Sequence, residues 1–233
     1  MPARAPDVLV VSVGATTGWR AAARELAAGL ARGGAYVQTV DTGPVPTVRT
    51  FMLTDFVQAL AARRSTARAL AAEPDRLGAS GGHSPAIVYC SMTAALLWPR
   101  PGAIWLDCLA RDNRPGRHGL WQRQVETRRL AAAPLVLTMA ENSLQALGTA
   151  RPAVAEPIVV PVPVEPSGPA DGVRDIAVLA YTGDPVKRRL DFILAAWERA
   201  RREGETLVVA GIERGPAPPP GVHFAGRLAP AEY

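Results

Sequence analysis

Apolar positions in this chain fall into short unbroken runs, and between them lie longer stretches where apolar residues recur at helical spacing. Val8 to Val13 is the first such run, β-branched and leucine-rich, as expected of a strand buried on both faces of a parallel sheet. Gly14-Ala-Thr-Thr-Gly18 turns the chain, Trp19 to Arg32 has helical periodicity, and Gly33-Gly34 ends that helix. Tyr36 to Val40 reads as the next strand, which makes a βαβ unit with a right-handed crossover. The alternation continues with a helix over Thr54 to Ala71 and strands over Ala86 to Cys90 and Ala103 to Leu106. A helix over Leu120 to Ala132, a strand over Leu135 to Met139 and a short helix over Asn142 to Leu147 follow. Such alternation predicts a doubly wound α/β domain.

The pattern then changes. Arg151 to Asp171 is rich in proline, and Ile158 to Val164 is its one apolar run, read as a last strand entering a linker. A fresh unit starts near Asp175: strand Ile176 to Tyr181, turn Gly183-Asp-Pro185, helix Leu190 to Arg202, strand Thr206 to Ala210. A further strand is expected from Val222 to Phe224, and Ala229-Pro-Ala-Glu232 reads as a helix start. The expected division is therefore a first domain over 1–164, a linker over 165–174 and a second domain over 175–233. A strand–helix–strand unit cannot cover both faces of a parallel sheet. The second domain is expected to be incomplete, or to borrow its other half through an exposed sheet edge near Thr206 to Ala210.

Composition narrows the function. Of 233 residues, 48% are hydrophobic and 20% charged, a globular balance rather than a disordered one. The net charge of +5 raises a nucleic-acid partner, but the arginines are scattered along alanine-rich helices with few aromatics between them. No nucleic-acid partner is expected. Abundant Ala, Pro, Gly and Arg resemble the output of a GC-rich genome, so a single arginine says little. Cys90 and Cys108 lack the spacing of a zinc or redox pair and read as buried thiols. The run from Asp7 to Val13 is too short to span a membrane or to act as a secretory segment, which leaves the cytoplasm by default. Contact with a membrane surface is left open.

Three stretches could carry chemistry. The loop Ser12-Val-Gly-Ala-Thr-Thr-Gly18 has glycines that let backbone N–H groups approach an anion at a helix N-terminus. It has neither the Walker A nor the G-x-G-x-x-G pattern, and reads equally as an ordinary βα turn. Tyr181-Thr-Gly-Asp-Pro-Val-Lys187-Arg188-Arg-Leu-Asp191 places Gly183 ahead of Lys187, the chain's one lysine, at a helix start. A compact ammonium there suits a diphosphate. In Trp105-Leu-Asp107-Cys-Leu-Ala-Arg111-Asp-Asn-Arg114-Pro-Gly116, Asp107 sits at a strand's C-terminal end, where open α/β sheets contact ligands. It reads as a general base or sugar-hydroxyl ligand, or equally as the cap of its own loop. Arg111, Arg114 and Arg117 form either an anion site or a solvated loop. His83, His118 and His223 have no metal-ligand spacing, and no metal is expected.

The stretch YTGDPVKRRLDFILAAWERARREGETLVVAGI, with GVHFAGRLAPAEY after it, resembles the opening of the donor-binding domain in glycosyltransferase family 4. The N-terminal RGGAYVQTVDTG fits the same family, and DNRPGRHGLWQRQVETRRLAAAPLVLTMAENSLQAL resembles a subgroup from high-GC bacteria. The resemblance implies a GT-B-like fold of two Rossmann-like, doubly wound parallel-sheet domains. It implies a hexosyltransferase that moves a sugar from a nucleotide-sugar donor to an unidentified acceptor with retention, the donor being a substrate and no cofactor or metal being needed. By the same resemblance Lys187 contacts the donor diphosphate, Gly183 and Arg188 belong to that motif, Gly14 and Gly18 lie in the loop facing the cleft, and Asp107 is a cleft-facing catalytic candidate. Asp184 stands where many relatives carry an arginine, and the resemblance places the family's Glu-x7-Glu pair and glycine-rich phosphate loop downstream of the residues present, so weak or absent activity is expected of this chain alone. A non-catalytic module completed by a partner is the alternative reading, and a sugar-nucleotide isomerase is a third.

Overall fold

The computed structural model describes residues 5–14, 17–43, 45, 48, 51–72, 84–114, 116–148, 155–162, 176–186 and 188–228. Ala15, Thr16, His83, Lys187, most of the proline-rich linker and the expected helix start at Ala229 lie outside them. The chain divides into two compact units, residues 1–165 and 166–233.

The first unit alternates strand and helix. Its strands are β1 (Val8–Ser12), β2 (Val37–Asp41), β3 (Ala86–Tyr89), β4 (Ala103–Leu106), β5 (Val136–Thr138) and β6 (Ile158–Val159). They form one sheet in the order β2-β1-β3-β4-β5-β6, and every pairing is parallel. Side chains alternate between the faces of a strand, so an all-apolar run must be covered on both sides. In β1, Leu9 and Val11 join Tyr89, Ile104 and Leu106 in one core, while Val10 faces the other way with Val88, Trp105 and Leu137.

The first of these cores is covered by α2 (Phe51–Ala71), α3 (Met92–Ala95), α5 (Leu120–Ala132) and α6 (Glu141–Leu147), through residues such as Ala59, Ala62, Ala95, Leu130 and Leu147. The opposite core is covered by α1 (Thr17–Arg32), whose Ala22, Ala23, Leu26 and Ala27 line one stripe. Alanine on that stripe lets the helix backbone lie close to the sheet. Between β4 and α5 come the one-turn helix α4 (Ala110–Asn113) and a 3-10 turn, Gly116–Gly119.

The long elements match the expectation from sequence closely. The short ones, α3, α4 and the 3-10 turn, were not foreseen, because one turn leaves no periodicity to read. Of the expected strand over Ile158 to Val164, residues 163 and 164 lie outside the described residues, and within 158–162 the strand is two residues long. Pro157 and Pro161 flank Ile158–Val160, and proline has no N–H for a ladder. This strand survives at the sheet edge because Trp105 Nε1 donates to the Val160 carbonyl at 2.8 Å, across the intervening β5.

The second unit contains β7 (Val178–Tyr181), α7 (Leu190–Ala200), β8 (Leu207–Ala210) and β9 (Val222–Gly226). Its strands are parallel in the order β7-β8-β9. Leu190, Leu194 and Trp197 of α7 pack on Leu207 and Val209. The expected open edge near Thr206 to Ala210 is corrected here. β8 is the middle strand and Leu207–Ala210 are all buried, because β9 takes its other side. The apolar edge is β7 instead, where Val178, Leu179 and Tyr181 are 44, 46 and 52% exposed.

Candidate functional site

A doubly wound sheet opens a crevice where consecutive crossovers leave one strand in opposite directions, at the C-terminal strand ends. In the first unit that point is the end of β1: β2 pairs on one side and β3 on the other. The backbone here is built around Gly14, buried and at φ +64°, in the left-handed region that favours glycine. Its N–H donates to Ser12 Oγ at 3.2 Å and its carbonyl accepts from Arg20 Nη1 at 3.1 Å. A Cβ at this position would meet Asp41 Oδ1 at 2.5 Å. The left-handed conformation favours glycine here, and the exposed Asp41 carboxylate would have to move aside for any Cβ.

Asp41 is the last residue of β2, and its Oδ1 accepts from the Gly43 N–H at 3.0 Å. Thr42 Oγ1 donates to the Val13 carbonyl at 2.5 Å, tying the ends of β1 and β2 together. On the β3 side, Ser91 Oγ accepts from the Ala94 N–H at 3.1 Å and caps α3. Gly18 lies in the first turn of α1, where an added Cβ would meet nothing within 4 Å. Nothing in the structure requires glycine there.

Asp107 is exposed just beyond β4. Its Oδ1 accepts from the Cys108 N–H at 2.8 Å, and its carbonyl accepts from Ser143 Oγ at 2.7 Å. Burial pushes the half-buried Cys108 thiol up to about 12, and the neighbouring Asp107 charge adds to the shift. Cys90, fully buried, is likewise pushed up to about 12 by burial.

The three arginines of the following loop do not converge. Arg114 turns inward and makes a two-pronged pair with Asp55 of α2, Nε to Oδ2 at 2.8 Å and Nη2 to Oδ1 at 3.0 Å. Gln122 Nε2 also donates to Asp55 Oδ2, at 3.2 Å. Arg111 donates to the Ala146 carbonyl, and Arg117 is exposed. An anion site built on Arg114 is excluded by this pairing, since its fork is already filled by a carboxylate. Next to it, Glu126 is buried and accepts from the Ala110 N–H at 2.7 Å, at the start of α4. Burial raises its carboxyl to about 7, against the smaller lowering effects of that N–H and of Arg111.

In the second unit the loop after β7 is equally tight. A Cβ on Gly183 would collide with the Tyr181 hydroxyl, and Gly211, at φ +98° after β8, would meet the Gly183 nitrogen at 2.6 Å. Gly211 is held to glycine by its positive φ and by backbone contact, whereas the exposed Tyr181 ring could turn aside for a Cβ on Gly183. Arg188 is exposed, with its N–H on the Asp184 carbonyl at 2.9 Å. Arg189 starts α7 in the left-handed region at φ 53° and lies 3.7 Å from Asp191. His223 is exposed on β9, and His118 falls in the 3-10 turn.

Sequence reasoning singled out Gly14, Gly183 and Asp107 but passed over Asp41, Arg20 and Arg24. Asp41 carried a readable signal, an acidic residue closing a strand and followed within two residues by glycine. The arginines carried none, in a chain where arginine is common.

No protein family and no curated protein is matched by the sequence. Solved structures are. A glycosyltransferase from Phytolacca americana, UGT2, complexed with UDP-2fluoro-glucose and pterostilbene, matches with a TM-score of 0.59 at 12% identity, over 99% of this chain and 73% of that one. CalG4, the calicheamicin glycosyltransferase, matches with a TM-score of 0.38 at 14% identity, over 94% of this chain and 69% of that one. The fold is α/β with two parallel-sheet units, that of the GT-B glycosyltransferases. Among the described residues, no helix is long and apolar enough to cross a membrane.

Proposed function

We propose that this chain is a glycosyltransferase of the family 4 type, moving a hexose from a nucleotide-sugar donor to an acceptor hydroxyl with retention. In that transfer the bond from the anomeric carbon to the diphosphate breaks and one to the acceptor oxygen forms. The nucleoside diphosphate departs and the acceptor's proton is lost. The observation that carries the reading is the pair of parallel α/β units, each with a glycine in the turn beyond its first strand, at Gly14 and at Gly183.

Such turns bring backbone N–H groups close to phosphate oxygens without a side chain in the way. On this reading Gly183, Lys187 and Arg188 hold the donor diphosphate, and the Gly14 to Gly18 loop faces the reacting groups. Asp107 holds an acceptor hydroxyl or takes its proton.

The test is calorimetric titration with a panel of nucleotide-sugars, followed by mass spectrometry of the products. Binding of at least one donor is expected, weakened roughly tenfold or more by Lys187→Ala through loss of a charged phosphate contact. Gly14→Ala should weaken it too. If no nucleotide-sugar binds, or the Lys187 variant binds as tightly as the parent, the proposal fails. Formation of an epimer without a glycoside would favour an isomerase instead.

One observation favours a second reading. β7 leaves Leu179 and Tyr181 exposed beside a strand edge that no described residue pairs with, as a surface covered by another chain would. On this reading the protein is a binding module, and sedimentation should detect self-association, or a complex with a partner, in place of turnover.

A further inference from the structure

A small recess opens between α1 and the ends of β1 and β2, on the side of β1 away from β3 and hence apart from the switch-point crevice. Its walls are Ser12, Arg20, Arg24, Thr39 and Asp41, over a floor that includes Val10 and Ala23. The volume is about 160 Å³. Pockets that enclose a whole small-molecule ligand start near about 300 Å³, so this one suits a single functional group.

Charge says which group. Arg20 and Arg24 stand one helical turn apart on the same face of α1, where like charges repel. Other arginines of this unit bond to the protein itself, Arg63 to the Leu97 carbonyl, Arg114 to Asp55 and Arg129 to the Leu96 carbonyl, whereas Arg20 and Arg24 are exposed at the recess. Arg20 gives one N–H to the Gly14 carbonyl, and Arg24 has no hydrogen bond or ion pair among the described residues. Asp41 lines the recess too, its Oδ1 drawn toward the Gly43 N–H. A guanidinium only donates and a carboxylate only accepts. The complementary ligand therefore offers an oxyanion to the arginines and a hydroxyl to Asp41.

We propose that this recess binds a phosphate or carboxylate carried next to a hydroxyl on the acceptor, Arg20 and Arg24 taking the anion and Asp41 the hydroxyl. That the ligand belongs to the acceptor rests on the sugar-transfer reading; the oxyanion site does not.

The experiment is an amide-resolved NMR titration of the 15N-labelled full chain with inorganic phosphate and, separately, with acetate. Saturable shifts are expected at Gly14 and Gly43, whose amides flank the recess. Arg24→Ala should weaken them roughly tenfold or more, since one charge-assisted contact is lost. Arg24→Lys should lose less, and Arg32→Ala, two turns further along α1, should change nothing. Tighter phosphate binding points to a phosphorylated acceptor, and tighter acetate binding to a carboxylated one. Absence of saturable shifts at Gly14 and Gly43, or equal affinity in Arg24→Ala, overturns the proposal. A nucleotide-sugar titration of the same sample separates the two readings. Donor binding without phosphate binding removes the recess alone, and phosphate binding without donor binding removes the sugar-transfer reading alone.

Discussion

Removing Arg114 should loosen the first unit more than removing its partner, and the reason lies in what each deletion leaves behind. Asp55 and Arg114 side chains are 6% and 21% exposed, so the carboxylate is the deeper partner. Among the described residues, Arg114→Ala leaves that carboxylate with Gln122 Nε2 as its side-chain donor, and Gln122 Oε1 is itself buried with no hydrogen-bond partner there. Breaking a buried pair by deleting one member costs about 3–5 kcal/mol. We expect about 3 kcal/mol for Arg114→Ala. Asp55→Ala should cost about 2 kcal/mol, because the stranded guanidinium can turn toward water. The double variant should cost clearly less than the sum, by roughly 1 kcal/mol or more, since the second deletion removes a group already orphaned. Hydrogen–deuterium exchange on α2 and α5 peptides is the suitable assay, because the second unit has its own core and would blur one global transition. Additive effects, or single variants within about 0.5 kcal/mol of the parent, would refute the reasoning.

Two further outcomes follow from the same region. Glu126 has its folded value raised to about 7 from an ordinary 4.5, so the folded state holds a proton that the unfolded state releases earlier. Stability from this group is complete below about pH 4.5 and is lost as pH rises through 7, on the order of 3 kcal/mol, whereas Glu126→Gln should flatten the slope in α5 exchange between pH 5 and 8. With both thiols pushed up to about 12, Ellman's reagent at pH 7.5 should label Cys90 and Cys108 slowly in the folded protein and at once in urea, and rapid labelling of the native chain would contradict their placement.

Strands such as β1 and β8 were legible because each is a nearly continuous β-branched and leucine run, as a strand buried on both faces tends to be, whereas β2 and β9 carry the exposed polar residues Gln38 and His223. Helix α2 was legible in its body, while its start at Phe51 rather than Thr54 was not, since helix ends depend on local caps. Gly14 stood out as a glycine just after a strand, but its left-handed backbone and its closeness to Asp41, 27 positions further on, are visible only in the fold. The same distance problem hid the fate of Arg114. Its partner Asp55 is 59 residues away, and arginine beside proline and glycine in a loop gives no sign of turning inward. Long-range pairing, not local propensity, decided which charged residues were available to a ligand.

Trp105 does more than hold the short edge strand. Its ring meets that of Trp19 edge-on at 6.4 Å, with an interplanar angle of 87°, so one indole of β4 faces one from the first turns of α1. Two indoles this close couple optically, and the strength of coupling depends on their mutual orientation. Trp19 precedes Arg20 by a single residue, so a ligand that draws α1 inward must also turn the Trp19 ring. The near-ultraviolet circular dichroism of the unlabelled protein is thus a built-in gauge of the helix that carries Arg20 and Arg24.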